Sequence, residues 1–292
     1  MLETGTTALS TNKTRTGGGP GADSPLGRLE AVLAPLGRVV VAFSGGADSA
    51  LVAYVATRVL GADNVLCVTA LSPSLAPEEE SDCEALAAEW GLRHLGVPTG
   101  ELDRPEYARN DLDRCYHCKS ELMAVLVPLA RSESAAIALG VNLDDLGEHR
   151  PGHRATAEHG AVYPLVEAGL DKAAVRAVSR DLGLRTADKP AAACLASRVP
   201  HGTPVTLGVL GRVAAAESGL RSIGFGALRV RHYGDLARIE LPIADLGRAI
   251  EARDFVVAAV RSAGYRYVTL DLEGLRSGNL AASALEDSGA RR

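Results

Sequence analysis

Short apolar runs alternate with longer stretches of helical period along most of the chain. Val39–Phe43 (VVVAF) reads as a buried strand and Ala50–Leu60 as a helix. Val65–Ala70 predicts a second strand, Pro77–Trp90 a second helix and Arg93–Val97 a third strand. Lys119–Ala130 follows as a helix and Ala135–Gly140 (AAIALG) as a fourth strand. This alternation predicts an α/β fold, a doubly wound and mainly parallel sheet with helices on both faces. Two stretches interrupt it. Residues 141–164 are polar, rich in Gly, His and Arg, and read as a long loop; Asp171–Leu182 is helical, and 187–206 (ADKPAAACLASRVPHGTPVT) forms a second loop. Loops of that length in a compact domain are usually functional or mobile.

Beyond Thr206 the pattern changes. Leu207–Leu220 reads as a helix. Leu228–Tyr233 and Leu236–Leu241 flank Gly234–Asp235, a two-residue hairpin signal. Ala244–Ala263 is helical and Tyr267–Leu272 a strand. The expected organisation is a tail at 1–25 rich in Thr, Gly and Ser, a nucleotide-binding α/β domain at 26–205, a small α+β domain at 206–280 for substrate binding or oligomerisation, and a tail at 281–292.

Apolar residues make up 47% of the 292 and charged residues 23%, ordinary for a globular protein and unlike collagen, disordered chains or disulfide scaffolds. The formal charge of −5 offers no basic surplus for nucleic acid, and Lys is scarce beside Arg, as in other compositionally biased, Ala-rich chains. No apolar run approaches the ~20 residues of a membrane span, and the first 25 residues lack the apolar segment of a secretory signal, so no membrane partner and a cytoplasmic location are expected. In that reducing setting Cys67, in an apolar strand-like run, and Cys83, in a helix-like one, read as small buried or half-buried hydrophobes.

The candidate chemistry begins where the first strand meets the first helix, at Ser44-Gly-Gly-Ala-Asp-Ser49. Gly45 and Gly46 permit a tight turn and close approach of a ligand, the following helix offers free N–H groups to an anion, and Ser44 and Ser49 add hydroxyls. Asp48 beside phosphate makes sense if it positions Mg2+ or caps the helix. The loop is neither GxxxxGK[ST] nor GxGxxG. It resembles the PP-loop of ATP pyrophosphatases, which grip departing pyrophosphate while an oxygen nucleophile is adenylated; the plainer alternative is a glycine turn with a Ser or Asp cap.

Cys115 and Cys118 form a CxxC at the start of a helix between Arg114 and Lys119, a setting that predicts a lowered thiol pKa. The spacing fits half a zinc site, a redox pair, part of an iron–sulfur site, or two unrelated thiols. Cys194 sits in the second long loop near Lys189 and Arg198, as a reactive thiolate would. Three thiolates suit a [4Fe–4S] cluster with one open iron, whereas zinc needs a fourth ligand, for which His117 and His201 are candidates. Asn142, Asp144, Asp145, His149, Arg150 and Arg154 crowd the first loop, where carboxylates suit Mg2+ and arginines suit phosphate or carboxylate. Arg229 and Arg231 share one strand face, and Glu217, Glu240, Asp271 and Arg276 are candidates for a site at a subunit contact or, more plainly, for surface salt bridges.

From about Arg38 to Asn279 the chain resembles the LarE-type, ATP-dependent pyridinium-dicarboxylate sulfurtransferases of nickel-pincer cofactor assembly, through VAFSGGADSALV, VTALSPSLAPEE, RCYHCKSEL, VNLDDLGEHRPGHRA, DKPAAACLASRVPHGTPVT, RVRHYGDLARIELP and GYRYVTLDLEGLRSG. The resemblance implies an adenine nucleotide alpha hydrolase-like domain whose Ser44, Gly45, Gly46, Asp48 and Ser49 hold ATP and pyrophosphate with Mg2+. It implies adenylation of pyridinium-3,5-biscarboxylate mononucleotide, bound through Arg229 and Arg231, and sulfur insertion at Cys194. In one branch of that family a single cysteine matching Cys194 is sacrificed; in the other, cysteines matching Cys115, Cys118 and Cys194 hold a [4Fe–4S] cluster that binds extra sulfide, and possession of all three favours the second. Homo-oligomers formed around the small domain are also implied, with an unidentified sulfide donor. The competing readings are another PP-loop adenylating enzyme, such as a tRNA thiolase or amide-forming synthetase, and a non-catalytic ATP-binding regulator, which has no need of the three cysteines.

Overall fold

The computed structural model describes residues 21–146, 151–190 and 193–276. Its first element, α1 (Pro25–Leu33), is capped by Ser24, whose hydroxyl accepts the Gly27 N–H at 3.0 Å. Then come β1 (Val39–Ala42), α2 (Ala47–Leu60), β2 (Val65–Leu71), α3 (Pro77–Trp90), β3 (His94–Pro98), α4 (Pro105–Ala108), α5 (Arg114–Glu133) and β4 (Ala136–Leu139). The four strands are all parallel, in the order β3-β2-β1-β4. Strand alternation explains the two cores. Val39, Val41, Val65, Cys67 and Ala138 point to α1, α2 and α3, whereas Val40, Leu66, Val68, Ile137 and Leu139 point to Leu122, Met123 and Leu126 of α5. Both faces are covered, so the strands read as continuous apolar runs.

The chain order reverses at β1. The step from β1 leads outward to β2 and β3, then crosses back to β4 on the other side, leaving a crevice at the carboxyl ends of β1 and β4. Gly140 closes that crevice tightly, because a Cβ there would lie 2.5 Å from the Ser49 backbone nitrogen.

The stretch expected as one long loop is partly helical: α6 (Leu143–Leu146) and α7 (Pro151–Glu158) occupy it, followed by α8 (Pro164–Glu167) and α9 (Lys172–Asp181). Only Ala155 and Thr156 of the described α7 side chains are buried, too few for an apolar period to mark a helix. It is held against α5 by polar contacts instead, with Tyr116 donating to Glu158 at 2.8 Å and Arg154 lying over the Tyr116 ring at 4.5 Å. His149, Arg150, residues 1–20 and residues 277–292, including the expected C-terminal tail, lie outside the described residues.

A second, three-stranded sheet follows α10 (Leu207–Ser222), whose cap Thr206 accepts the Val209 N–H at 3.2 Å. β5 (Arg229–Tyr233) and β6 (Leu236–Glu240) pair antiparallel, and β7 (Tyr267–Leu270) runs parallel to β6. Leu220, Val230, Ile239, Val260 and Tyr265 form a separate core beneath this sheet. The helix expected over 244–263 is broken at Ala252 into α11 (Leu246–Glu251) and α12 (Arg253–Ser262); no residue type there requires the break. No described helix is long and apolar enough to cross a membrane.

Candidate functional site

The apolar run of β1 ends at Phe43, and the chain turns at Gly45, whose φ of +66° suits glycine. A Cβ at Gly45 would meet the Cys83 sulfur at 2.9 Å, so both conformation and space demand glycine. The Ser44 and Ser49 hydroxyls stand 3.0 Å apart, and Ser49 Oγ accepts the Ser44 N–H at 3.1 Å. These bonds bend the loop over the amino end of α2, where uncompensated N–H groups and the helix dipole favour an anion. A cavity of about 270 Å3 opens beside it, lined by Ser44, Ser49, Thr69, Lys119, Gly140 and Asp145, with Leu75, Leu122 and Val141 as apolar walls.

Asp48 is engaged from two distant segments. Asn142 Nδ2 donates to its Oδ1 at 3.0 Å, and Lys172 at the start of α9 forms an ion pair with its other oxygen. Of the first-loop candidates, Asn142 is therefore part of the site, and Asp145 lines the cavity while accepting the Asn142 N–H. Asp144 instead accepts the Lys172 backbone N–H, and Arg154 pairs with Glu158.

Lys172 has no sequence signal of its own, since 124 residues separate it from Asp48. One clue was available. The chain has four lysines, and three of them converge here: Lys119 on the cavity, Lys172 on Asp48, and Lys189 on the Gly45 carbonyl at 3.2 Å.

The three candidate thiols share one neighbourhood. CxxC lies in the opening turns of α5, and Cys118 packs against the cluster that contains Tyr107, Leu195 and Ala196. Cys194 precedes the turn Leu195–Arg198 and is held by the Leu195 N–H, which donates to the Ser74 carbonyl at 2.8 Å. Cys115 and Cys194 are exposed. The expected lowering of the CxxC thiol pKa is overturned at Cys118: burial pushes it up to about 12, offset by Lys119 and reinforced by Cys194, Glu101 and Cys115. Arg114 does not help, because its buried guanidinium donates to Asn110 Oδ1 and to the Ala196 carbonyl. Among the described residues no group of three His, Cys, Asp or Glu is close enough to hold a metal ion. The thiols thus match an iron–sulfur site in donor type but not in spacing. Neither histidine offered for zinc is unengaged: His117 bonds Asp113 at 3.2 Å and His201 meets the Asn110 carbonyl at 3.3 Å. Cys67 and Cys83 are buried, their thiols pushed up to about 12 and about 11 by desolvation.

The arginine face of β5 looks toward the Cys194 turn. Arg231 is buried, bound to both Glu240 oxygens at 2.9 and 2.8 Å and donating to the Ser197 carbonyl at 2.8 Å. Arg198 is likewise buried against Glu217, and donates to the Ala193 carbonyl at 2.7 Å. Glu217 and Glu240 are therefore internal partners, while Asp271 meets Arg238 at 3.4 Å and Arg276 pairs with Glu273. Arg229 differs. It is half-buried, donates to the Arg276 carbonyl at 2.7 Å, and has no carboxylate partner among the described residues. Desolvation, then the charges of Arg231 and Arg198, lower its pKa, so an anion beside it would be welcome.

Arg231→Ala is expected to reduce the unfolding free energy by about 3 kcal/mol, since the buried Glu240 would lose the guanidinium that binds both of its oxygens. Urea unfolding checks this. Unchanged stability with weakened substrate binding would return Arg231 to the ligand.

Residues 32–110, which span this loop, match the NAD synthase family. An uncharacterised protein of Synechocystis is 44% identical over 88% of this chain and 97% of its own length. The pyridinium-3,5-bisthiocarboxylic acid mononucleotide synthase of Lactiplantibacillus plantarum is 42% identical over 86% of this chain and 92% of its own. The chain belongs to the pyridinium-3,5-bisthiocarboxylic acid mononucleotide synthase family. An uncharacterised protein of Methanocaldococcus jannaschii, 26% identical over 82% of the chain, is also similar. The phosphate loop, the CxxC helix and the cysteine-bearing turn occur on one chain that has a parallel four-stranded sheet and a separate three-stranded one.

Proposed function

We propose that this chain is an ATP-dependent sulfurtransferase that converts the carboxylates of pyridinium-3,5-biscarboxylate mononucleotide to thiocarboxylates. The observation that carries the reading is the joining of two half-sites in one chain: a phosphate loop at the β1/β4 crevice, and an exposed cysteine turn facing the arginines of β5. In the first half-reaction a substrate carboxylate oxygen attacks the α-phosphorus of ATP. The bond to the bridging oxygen of the β-phosphate breaks and pyrophosphate leaves, met by the amino end of α2, Ser44 and Ser49. Asp48 and Asp145 are the carboxylates that would hold Mg2+ there. Arg229 takes the substrate phosphate, while Arg231 and Arg198 hold the turn.

In the second half-reaction a sulfur nucleophile attacks the acyl carbon and AMP departs with the electron pair. If the Cys194 thiolate is that nucleophile, a thioester forms. Loss of its Cα proton and cleavage of the Cβ–S bond then leave the thiocarboxylate on the substrate and dehydroalanine in the chain. We favour a [4Fe–4S] cluster, which Cys115, Cys118 and Cys194 would hold and which would supply the transferred sulfide in place of the Cys194 sulfur. The soft donor chemistry of the three free thiols supports this assignment. Exposed free thiols suit a reducing cytoplasm. Exposed Ile243, Phe255, Tyr267 and Leu272 on the small domain support self-association, which light scattering would report.

The direct test is pyrophosphate release that depends on the pyridinium dicarboxylate mononucleotide; no substrate-dependent release overturns the reading. Arg229→Ala should raise the KM for that substrate about 10- to 100-fold with little change in stability, the effect of losing one charge-assisted phosphate contact. Protein isolated anaerobically should carry about four iron ions per chain with matching acid-labile sulfide. Substoichiometric iron combined with a loss of one sulfur mass after turnover would instead mark Cys194 as sacrificed.

A further inference from the structure

Lys189 lies five positions before Cys194 in the chain yet reaches back to the phosphate loop. Its ammonium is largely enclosed and makes three contacts, to the Gly45 carbonyl at 3.2 Å and to Glu79 and Asp82 of α3 at 2.7 Å each. The two carboxylates hold its pKa above the usual lysine range despite burial, so it stays charged.

The carbonyl it grips belongs to the Gly45–Gly46 peptide, which is trans. In a planar trans peptide the C=O and the following N–H point in opposite directions. A cation that draws the Gly45 oxygen toward α3 therefore turns the Gly46 N–H the other way. Gly46 is the cap residue of α2, so its N–H belongs to the group that meets an anion at the helix end. A charge-assisted bond on the carbonyl also polarises that N–H further.

We propose that Lys189 is a positioning residue: it aims the Gly46 N–H at the departing pyrophosphate and ties the phosphate loop to the segment that carries Cys194. This rests on the adenylation reading above and adds to it a physical link between the two half-sites. The N–H matters most as charge builds on the leaving group, so its loss acts on turnover more than on nucleotide affinity.

The test compares wild type, Lys189→Met and Lys189→Arg by calorimetric binding of magnesium pyrophosphate and by substrate-dependent pyrophosphate release. Lys189→Met should bind pyrophosphate about tenfold more weakly and lose about 10- to 100-fold in kcat, with the KM for ATP changed by less than about threefold. Lys189→Arg, which keeps the charge, should recover most of both. The Lys189→Met/Glu79→Gln/Asp82→Asn variant removes both carboxylates that Lys189 held, leaves Arg185 paired with Glu89, and should show the same kcat loss. A folded Lys189→Met, or that triple variant, with wild-type pyrophosphate affinity and kcat overturns the proposal while leaving adenylation intact. Wild-type protein that neither binds nor releases pyrophosphate overturns both.

Discussion

Replacing Cys194 with alanine is expected to leave substrate-dependent pyrophosphate release within about threefold of wild type and to lower thiocarboxylate formation by at least about a thousandfold, as for removal of an essential nucleophile or ligand. The separation follows from the layout. Adenylation uses the amino end of α2 and the β1/β4 crevice, and Cys194 touches neither. The turn it precedes is anchored by backbone and neighbouring groups: the Leu195 N–H to Ser74, the Ala193 carbonyl to Arg198, and the Ser197 carbonyl to Arg231. The exposed Cys194 side chain is not among those anchors, so its truncation should leave stability unchanged. Pyrophosphate is measured by a coupled assay and the product by mass. Full thiocarboxylate yield from the alanine variant would remove Cys194 from the chemistry, and loss of both activities together would mean that the turn also shapes the nucleotide site.

The second large effect is expected at Asp48. Asp48→Ala should reduce pyrophosphate release by about 10²- to 10³-fold, the usual scale for losing one electrostatic group at a developing charge. Its cost in stability should be near 1 kcal/mol, from one lost acid in the first turn of α2 and a Lys172 that turns to water. Asp48→Asn separates two roles. If the carboxylate serves only to hold Lys172 and Asn142, the amide should recover part of the rate. If it holds Mg2+, the amide variant should remain as slow as alanine and fail to respond to added Mg2+. Release at the wild-type rate in Asp48→Ala would remove this residue from the nucleotide site.

Much of the frame was legible because the relevant signals are local. VVVAF can hardly be anything but a buried strand, and two glycines after it can hardly avoid a tight turn, so β1, the phosphate loop and α2 follow from neighbours in sequence. The hairpin around Gly234–Asp235 and the two buried cysteines are similar cases. What failed did so where a helix lacks an apolar face, as in α7, or where a charge has a choice of partners. Arg229 and Arg231 are indistinguishable as residues two apart on one strand. One is closed off by Glu240 and the Ser197 carbonyl, the other lies beside Arg231 and Arg198 and makes no ion pair among the described residues. The thiol of Cys118 shows the same limit: helix position and flanking cations argue for a low pKa, and burial outweighs both.

The sequence by itself determined the parallel α/β order, the glycine turn that receives an anion, and the presence of three thiols outside the apolar runs. Tertiary structure alone decided which charges are spent internally and which face a ligand, bringing Lys172 to Asp48, Lys189 to Gly45 and the β5 arginines to the Cys194 turn. The reason is one of range. Backbone conformation and burial follow from adjacent residues, whereas an ion pair forms only between groups that packing has brought within a few ångströms, and their separation along the chain carries no record of it.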